Sequence, residues 1–330
     1  MNSFGRIFRI SIFGESHGEC VGITIDGCPA GLSLTPEDLL PDLERRKGGK
    51  QKGTTPRQEE DYPIFKSGIF NGKTTGFPIT ILFENKNTRS EDYQKQRSIP
   101  RPGHADWVAH QKFGGNEDYR GGGHFSARLT TGIVAAGAIA KKLMNGVSVH
   151  AEITEVGGEK DVEKGLQKAI DAKDSVGGII ECRVNGLPVG LGEPYFDSVE
   201  AALANIIFSI PAVRGIEFGT GFAAAKMFGS QHNDAILDME GKTKTNHAGG
   251  IVGGISNGNE LVFRIAIKPT SSTPKEQESL NWDTEQVEKF SIKGRHDLCV
   301  ALRAPVIVEA VTALVLVDFM MLEQRIKRVI

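Results

Sequence analysis

Polar and apolar positions alternate over residues 7 to 13, with Phe8, Ile10 and Ile12 on one side, and the VGITI run at 21 to 25 predicts a second strand. Thr35-Pro36-Glu37-Asp38 then opens a helix with a capping hydroxyl, proline at the first helical position and acids in the first turn. That helix carries Leu39, Leu40 and Leu43 and closes on Glu44-Arg45-Arg46-Lys47-Gly48-Gly49. Two apolar runs, 62 to 70 and 73 to 83, flank Asn71-Gly72, the strongest short hairpin signal in the chain. From Ser126 to about Met144 a helix is rich in small side chains (Gly132, Ala135, Ala136, Gly137, Ala138, Ala140), which permit close approach and place it centrally.

Strands at 147 to 156 and 176 to 184 flank an amphipathic helix at 161 to 172. Asp197 reads as the cap of a further helix to Ile210, ended by Pro211, and 213 to 218 as a strand. Residues 229 to 258 are so rich in Gly, Asn, His and Ser that they are either functional or disordered. LVFRIAI at 261 to 267 is a strand. Residues 304 to 322 are apolar enough to raise a membrane span, but Glu309 and Asp318 interrupt them, so a buried helix is expected.

Composition narrows the class. The chain has 330 residues, 39% hydrophobic and 24% charged, with a net charge of −2, which is the balance of a soluble globular protein and not of a partner for nucleic acid or anionic membrane. Arg6 and Arg9 break the first apolar run, so no targeting segment is expected there. Cys20, Cys28, Cys182 and Cys299 lack metal-ligand spacing, so neither a metal site nor a disulfide framework is expected, and a cytoplasmic location fits. With no internal repeat and no low-complexity linker, one domain over 1–330 is expected.

Titratable groups concentrate between Arg101 and Arg128, where His104, Asp106, His110, Arg120 and His124 surround Gly121-Gly122-Gly123 ahead of a helix start. Such a loop favours an anion. His17, in the Gly14-Glu15-Ser16-His17-Gly18 connection, reads first as a turn histidine without a role, and only second as a functional group. Arg45 and Arg46 either complement a helix C-terminus or bind a ligand. Lys50 to Arg57 has no apolar anchor and could order over a charged ligand. Lys268-Pro269-Thr270-Ser271-Ser272 is a phosphate cradle or a polar turn.

Taken together, GESHG at 14 to 18, ERR at 44 to 46, RPGHAD at 101 to 106, DYRGGG at 118 to 123, NHAGGI with GGIS at 246 to 256, KPTSS at 268 to 272 and GRHD at 294 to 297 occur in the order found in the chorismate synthase family, which the chain resembles over nearly its whole length. The resemblance implies an α+β fold, a β-α-β sandwich of antiparallel sheets around a central helical layer, assembled as a homotetramer. It implies loss of phosphate and a C6 hydrogen from 5-enolpyruvylshikimate 3-phosphate by anti-1,4-elimination, giving chorismate, with reduced FMN required and no net redox change. His17, His104 and Asp297 would then be the acid/base groups, at the leaving phosphate, the flavin N1 side and flavin N5 in turn. Arg45, Arg46, Arg101, Arg128 and Arg295 would bind the anionic substrate. Ser126, Pro211, Ala212, Gly253, Lys268, Pro269, Thr270, Ser271, Ser272 and Arg295 would contact FMN, as would the residues at 124 and 125. Arg46, in a mobile basic segment, and Lys52 are the positions associated with NADP in members that reduce their own flavin with NADPH.

The chain departs from the family's GGGRSSARET: it has GGGHFSARLT, with His124 and Phe125 in place of Arg-Ser and Leu129 in place of Glu. Lys52 stands where arginine is common, and the region around 155 to 180 is reduced. A non-catalytic phosphate-ligand or flavin-binding protein on the same scaffold is the competing expectation. It needs the arginines but not His17, His104 and Asp297.

Overall fold

The computed structural model describes residues 2–49, 52–55, 59–87, 97–292 and 296–326. A first sheet contains β1 (Ser3–Phe4), β2 (Arg9–Gly14), β3 (Cys20–Asp26) and β4 (Ile64–Ser67). A two-stranded tip, β5 (Ile69–Phe70) and β6 (Lys73–Thr74), leads to its last strand, β7 (Ile79–Glu84), and the order is β1-β2-β3-β7-β4 with every pairing antiparallel. Asn71 and Gly72 turn the tip with φ of 49° and 71°, as a primed turn requires. The two apolar runs therefore pair as expected, β4 on β7.

The second sheet is made of β8 (Ser148–Val156), β9 (Gly178–Asn185), β10 (Val213–Phe218) and, beyond the short hairpin β11 (Ile251–Val252) and β12 (Ile255–Ser256), β13 (Leu261–Ile267). Its order is β10-β13-β9-β8, again antiparallel. Along β13, Leu261, Phe263, Ile265 and Ile267 are buried and alternate with partly exposed neighbours, the period of two read in the sequence. A separate ribbon, β14 (Gln277–Asn281) and β15 (Gln286–Phe290), follows.

Between the sheets lies the helical layer. Its helices are α1 (Leu40–Arg46), α2 (Asp106–Phe113), α3 (Thr130–Leu143), α4 (Val162–Ala172), α5 (Val199–Ile207), the short α6 (Gly229–His232) and α7 (Pro305–Leu322), of which α2, α4 and α6 lie at the periphery. α3 packs on β3 and β7, α7 packs on β8 and β9, and the two helices run along each other. Small residues permit this. A Cβ on Gly132 would stand 3.0 Å from the Ile23 Cβ, and one on Gly137 would stand 2.3 Å from the Ala310 Cβ.

By length and composition α7 could cross a membrane, yet 83% of it is buried in the protein. Its two acids are satisfied there: Asp318 accepts from the backbone N–H groups of Arg6, Ile7 and Phe8 at 2.7 to 2.9 Å, and Glu309 accepts from the Ala151 N–H at 3.0 Å. One expectation is corrected. Ser198, not Asp197, caps α5, its hydroxyl accepting from the Ala201 N–H at 3.0 Å, while Asp197 turns outward to Arg6.

Candidate functional site

Three elements deliver arginines to one polar pocket of about 340 Å³: Arg46 from the last turn of α1, Arg128 from the turn that starts α3, and Arg303 from the turn before α7. Two carboxylates answer them. Asp61 pairs with Arg128 and lies 3.4 Å from Arg46 Nη1, while Asp297 accepts from Arg303 Nη1 at 3.0 Å and from the Thr55 N–H at 2.8 Å. Arg46 is only 3% exposed. It donates to the Thr130 hydroxyl and the Ala127 carbonyl, both at 2.9 Å. Burial pushes the Arg46 guanidinium down to about 9, and neighbouring Arg303 and Arg128 push the same way. It is still a cation at neutral pH, and with Arg128 and Arg303 it gives the pocket three planar guanidinium groups suited to an anion, in a lining that Lys47, Glu44 and Glu59 complete.

A second cleft, of about 680 Å³, opens beside the pocket and shares with it Gly121, Ser126, Ala127, Thr270, His296 and Asp297. It lies between the β1–β2 edge of one sheet and the β10 edge of the other. Ile10, Ile12, Ile133, Ile206, Ile210 and Pro211 make much of its wall apolar, and Lys268 and Arg214 add charge. Lys268 donates to the Ser271 hydroxyl at 2.8 Å and the Gly103 carbonyl at 3.1 Å, and burial followed by Arg214 lowers its pKa. Two polar atoms in this wall are buried without a hydrogen-bond partner, the Thr270 Oγ1 and the His124 Nε2. Buried polar groups are normally paired, so both call for a ligand atom. An apolar slot with peripheral cations and unanswered polar atoms fits a planar aromatic cofactor bearing a phosphate.

The glycine triplet joins these spaces. Gly121, Gly122 and Gly123 have φ of 59°, 83° and 52°, and a Cβ on Gly121 would fall 2.2 Å from the His17 ring. His17 is thus buried directly behind the loop, 8% exposed, with Ser16 N–H bonded to the Gly123 carbonyl at 3.1 Å. On the cleft side, His104 Nδ1 lies 2.6 Å from Asp106 and 3.0 Å from Arg101 Nη2, and Arg101 clamps the same carboxylate with Nε at 2.7 Å and Nη2 at 2.8 Å. Burial raises the Asp106 pKa, but the bonds from Arg101 and His104 outweigh it and hold the carboxyl well below its ordinary range. With Nδ1 thereby committed, Nε2 is the His104 nitrogen left to act on a ligand.

The residues expected from sequence divide accordingly. Arg46 and Arg128 line the polar pocket, Asp297 and Thr270 lie where it meets the cleft, and Arg101, His104, His124, Phe125, Ser126, Pro211, Ala212, Lys268, Ser271 and Ser272 line the cleft. Arg45 goes elsewhere: it binds buried Glu309 through two bonds of 2.7 Å. Gly253 is exposed in the β11–β12 turn and lines neither space. Arg46 is anchored in a helix instead of riding on a mobile segment, and Lys52 reaches Gln167 on α4 at 2.9 Å. Arg295, and Lys50, Gln51, Pro56 and Arg57 of the basic loop, lie outside the described residues. Sequence reasoning missed Asp61, Arg303 and His296. Arg303 had a signal, a cation just ahead of the long apolar run.

The same arrangement recurs in known proteins. Residues 8–321 match the family model described as chorismate synthase. A chorismate synthase of Chitinophaga pinensis is 69% identical over all of this chain and 99% of its own length, and one of Dehalococcoides mccartyi is 45% identical over all of this chain and 99% of its own. A solved structure titled "Crystal Structure of Chorismate Synthase" superposes with a TM-score of 0.74 at 26% identity, covering 97% of this chain and 93% of that one. Whole-length similarity, the shared fold and the motifs that line the two spaces lead to one conclusion: this chain belongs to the chorismate synthase family.

Proposed function

We propose that this member of a carbon–oxygen lyase family removes phosphate and the C6 hydrogen from 5-enolpyruvylshikimate 3-phosphate to give chorismate, the last step of the shikimate pathway, with reduced FMN bound in the apolar cleft. The observation that carries the reading is the junction of an arginine-lined polar pocket with an apolar slot at Gly121, Ser126, Thr270 and Asp297. The substrate carries two carboxylates and a phosphate, which planar guanidinium groups suit. Arg46, Arg128 and Arg303 supply them. Its C6 hydrogen is not next to a carbonyl and is a poor acid, so a carboxylate base alone would not suffice. Bound reduced flavin supplies the missing chemistry, an electron lent to the departing allylic phosphate and recovered at the end.

The protein's own groups hold charge and move protons around that event. Asp106 and Arg101 hold the His104 ring at Nδ1, leaving Nε2 to manage charge at the flavin. Asp297, oriented by Arg303 and the Thr55 N–H, stands where substrate and flavin would meet and serves proton transfer there. His17, behind Gly121, stabilises the leaving phosphate through the glycine loop. Lys268, Thr270, Ser271 and Ser272, with Pro211 and Ala212, hold the flavin from the far wall. NADPH is the candidate physiological reductant, with Arg46 and Lys52 the positions that the family resemblance associates with it.

The protein works in the cytoplasm as a homotetramer. Supporting assembly, Phe196, Phe222, Phe228, Ile236 and Met239 are each more than 70% exposed, large apolar side chains of the kind that subunit contacts cover.

The test is anaerobic turnover with chemically reduced FMN, following phosphate release and chorismate absorbance. Product in stoichiometry with phosphate is expected. No product, with flavin and substrate still bound, would overturn the lyase reading in favour of a binding protein. Turnover with NADPH in place of the chemical reductant, and no partner reductase, decides whether the protein reduces its own flavin.

A further inference from the structure

His124 stands where the family motif has arginine, and its surroundings give it a defined chemistry. The Gly14 carbonyl, which can only accept, lies 2.9 Å from Nδ1, so Nδ1 carries the proton. That leaves Nε2, buried and without a partner, on a ring that forms part of the flavin-sized cleft. In the neutral ring Nε2 can only accept. In the cation it donates, and a bound anion then stabilises the charged form.

We propose that Nε2 is completed by the bound flavin and that His124 meets the cofactor's anionic part as a cation. FMN binding in this chain then takes up a proton, where an arginine at the same position would bind without one. The inference rests on the flavin reading above. The other charged and titratable groups of the cleft wall are Arg101 and His104 ahead of α2, Arg214 on β10, Lys268 after β13, and His296 with Asp297. Glu15 and His17 follow the Gly14 carbonyl that the ring grips, and Asp118, paired with Arg120, precedes the glycine triplet. All of these remain in a His124 variant, as does the titration of the cofactor phosphate, so the difference between variants isolates this one ring.

The experiment titrates the flavin-free protein with oxidised FMN, by flavin fluorescence between about pH 6 and pH 8 and by calorimetry in two buffers of different ionisation enthalpy. It compares the wild type with His124→Arg and His124→Gln, each first checked for a native melting transition. Across that range wild-type affinity should fall several-fold more than that of His124→Arg, because only the histidine must hold a proton to meet the anion as a cation. Calorimetry should show a proton taken up by the wild type and not by His124→Arg. Equal pH dependence in wild type and His124→Arg overturns the inference while leaving the flavin site intact. So does His124→Gln binding as tightly as the wild type at the acid end. Failure of wild type and His124→Arg alike to bind FMN at any pH removes the flavin reading, and this inference with it.

Discussion

Two buried charge clusters hang from the same helix. Adjacent residues on α1 point about 100° apart around the axis. Arg45 therefore turns into a cluster with Glu309, Lys141 and Asp42, whereas Arg46 turns into the polar pocket. The first cluster is balanced, two cations against two carboxylates, and centred on Glu309, which is 1% exposed, also accepts from the Ala151 N–H and so ties α1, α3, α7 and β8 together. The second opens on solvent and on the neighbouring cleft. A saturated cluster wedged between elements is architecture. One that opens on a cavity beside unanswered polar atoms is a binding site.

The sharpest way to break that contrast is Glu309→Ala. It leaves Arg45 and Lys141 without their shared partner and should destabilise by about 3 kcal/mol in urea unfolding. Ligand affinity of the molecules that remain folded should be unchanged, and a loss of affinity in them would erase the distinction. The same cluster predicts a pH dependence. Burial raises the Glu309 pKa, but the bonds from Arg45 and Lys141 prevail and lower it overall. Its stabilising contribution is therefore present above the unfolded-state value of about 4.3 and is lost as pH falls through the lower folded value. Wild type and Glu309→Gln should converge in stability below that range and diverge above it.

Asp297→Ala comes next, with turnover falling about 100-fold and FMN affinity little changed. Unchanged turnover would remove Asp297 from proton transfer. Arg46→Lys keeps the charge but loses the planar fork, and should weaken substrate binding about tenfold, seen as a rise in KM, together with a lower melting temperature because the buried bonds to Thr130 and Ala127 go with the fork. Smallest of all, Arg45→Gln should cost less than about 1 kcal/mol of stability, because that side chain is part-exposed, and should leave KM unchanged.

Strands and helices with a clear period were legible in the sequence: β8, β9 and α4 stand where alternation and amphipathicity put them, and Asn71-Gly72 turns a hairpin. The small residues of α3 announced a central helix because only close packing rewards them. What the sequence did not reveal was direction. Whether Arg45 or Arg46 faces the pocket depends on how α1 is rotated against α3 and α7, a tertiary fact. Asp61 carries no local signature, since its value lies in meeting Arg128 from 67 positions further along the chain. The cap of α5 went to Ser198 and not Asp197, an offset of one within the usual uncertainty of helix ends.

The contact of Gly137 with Ala310 bears on more than core packing. α3 is seated on the first sheet and α7 on the second, and the two walls of the flavin-sized cleft belong to those different sheets. The crossing point of the helices is thus a gauge that sets the gap between the walls, and a single methyl group inserted there would reset it. Gly137→Ala, which touches no ligand, would be felt as a slot of the wrong width for a flat ring.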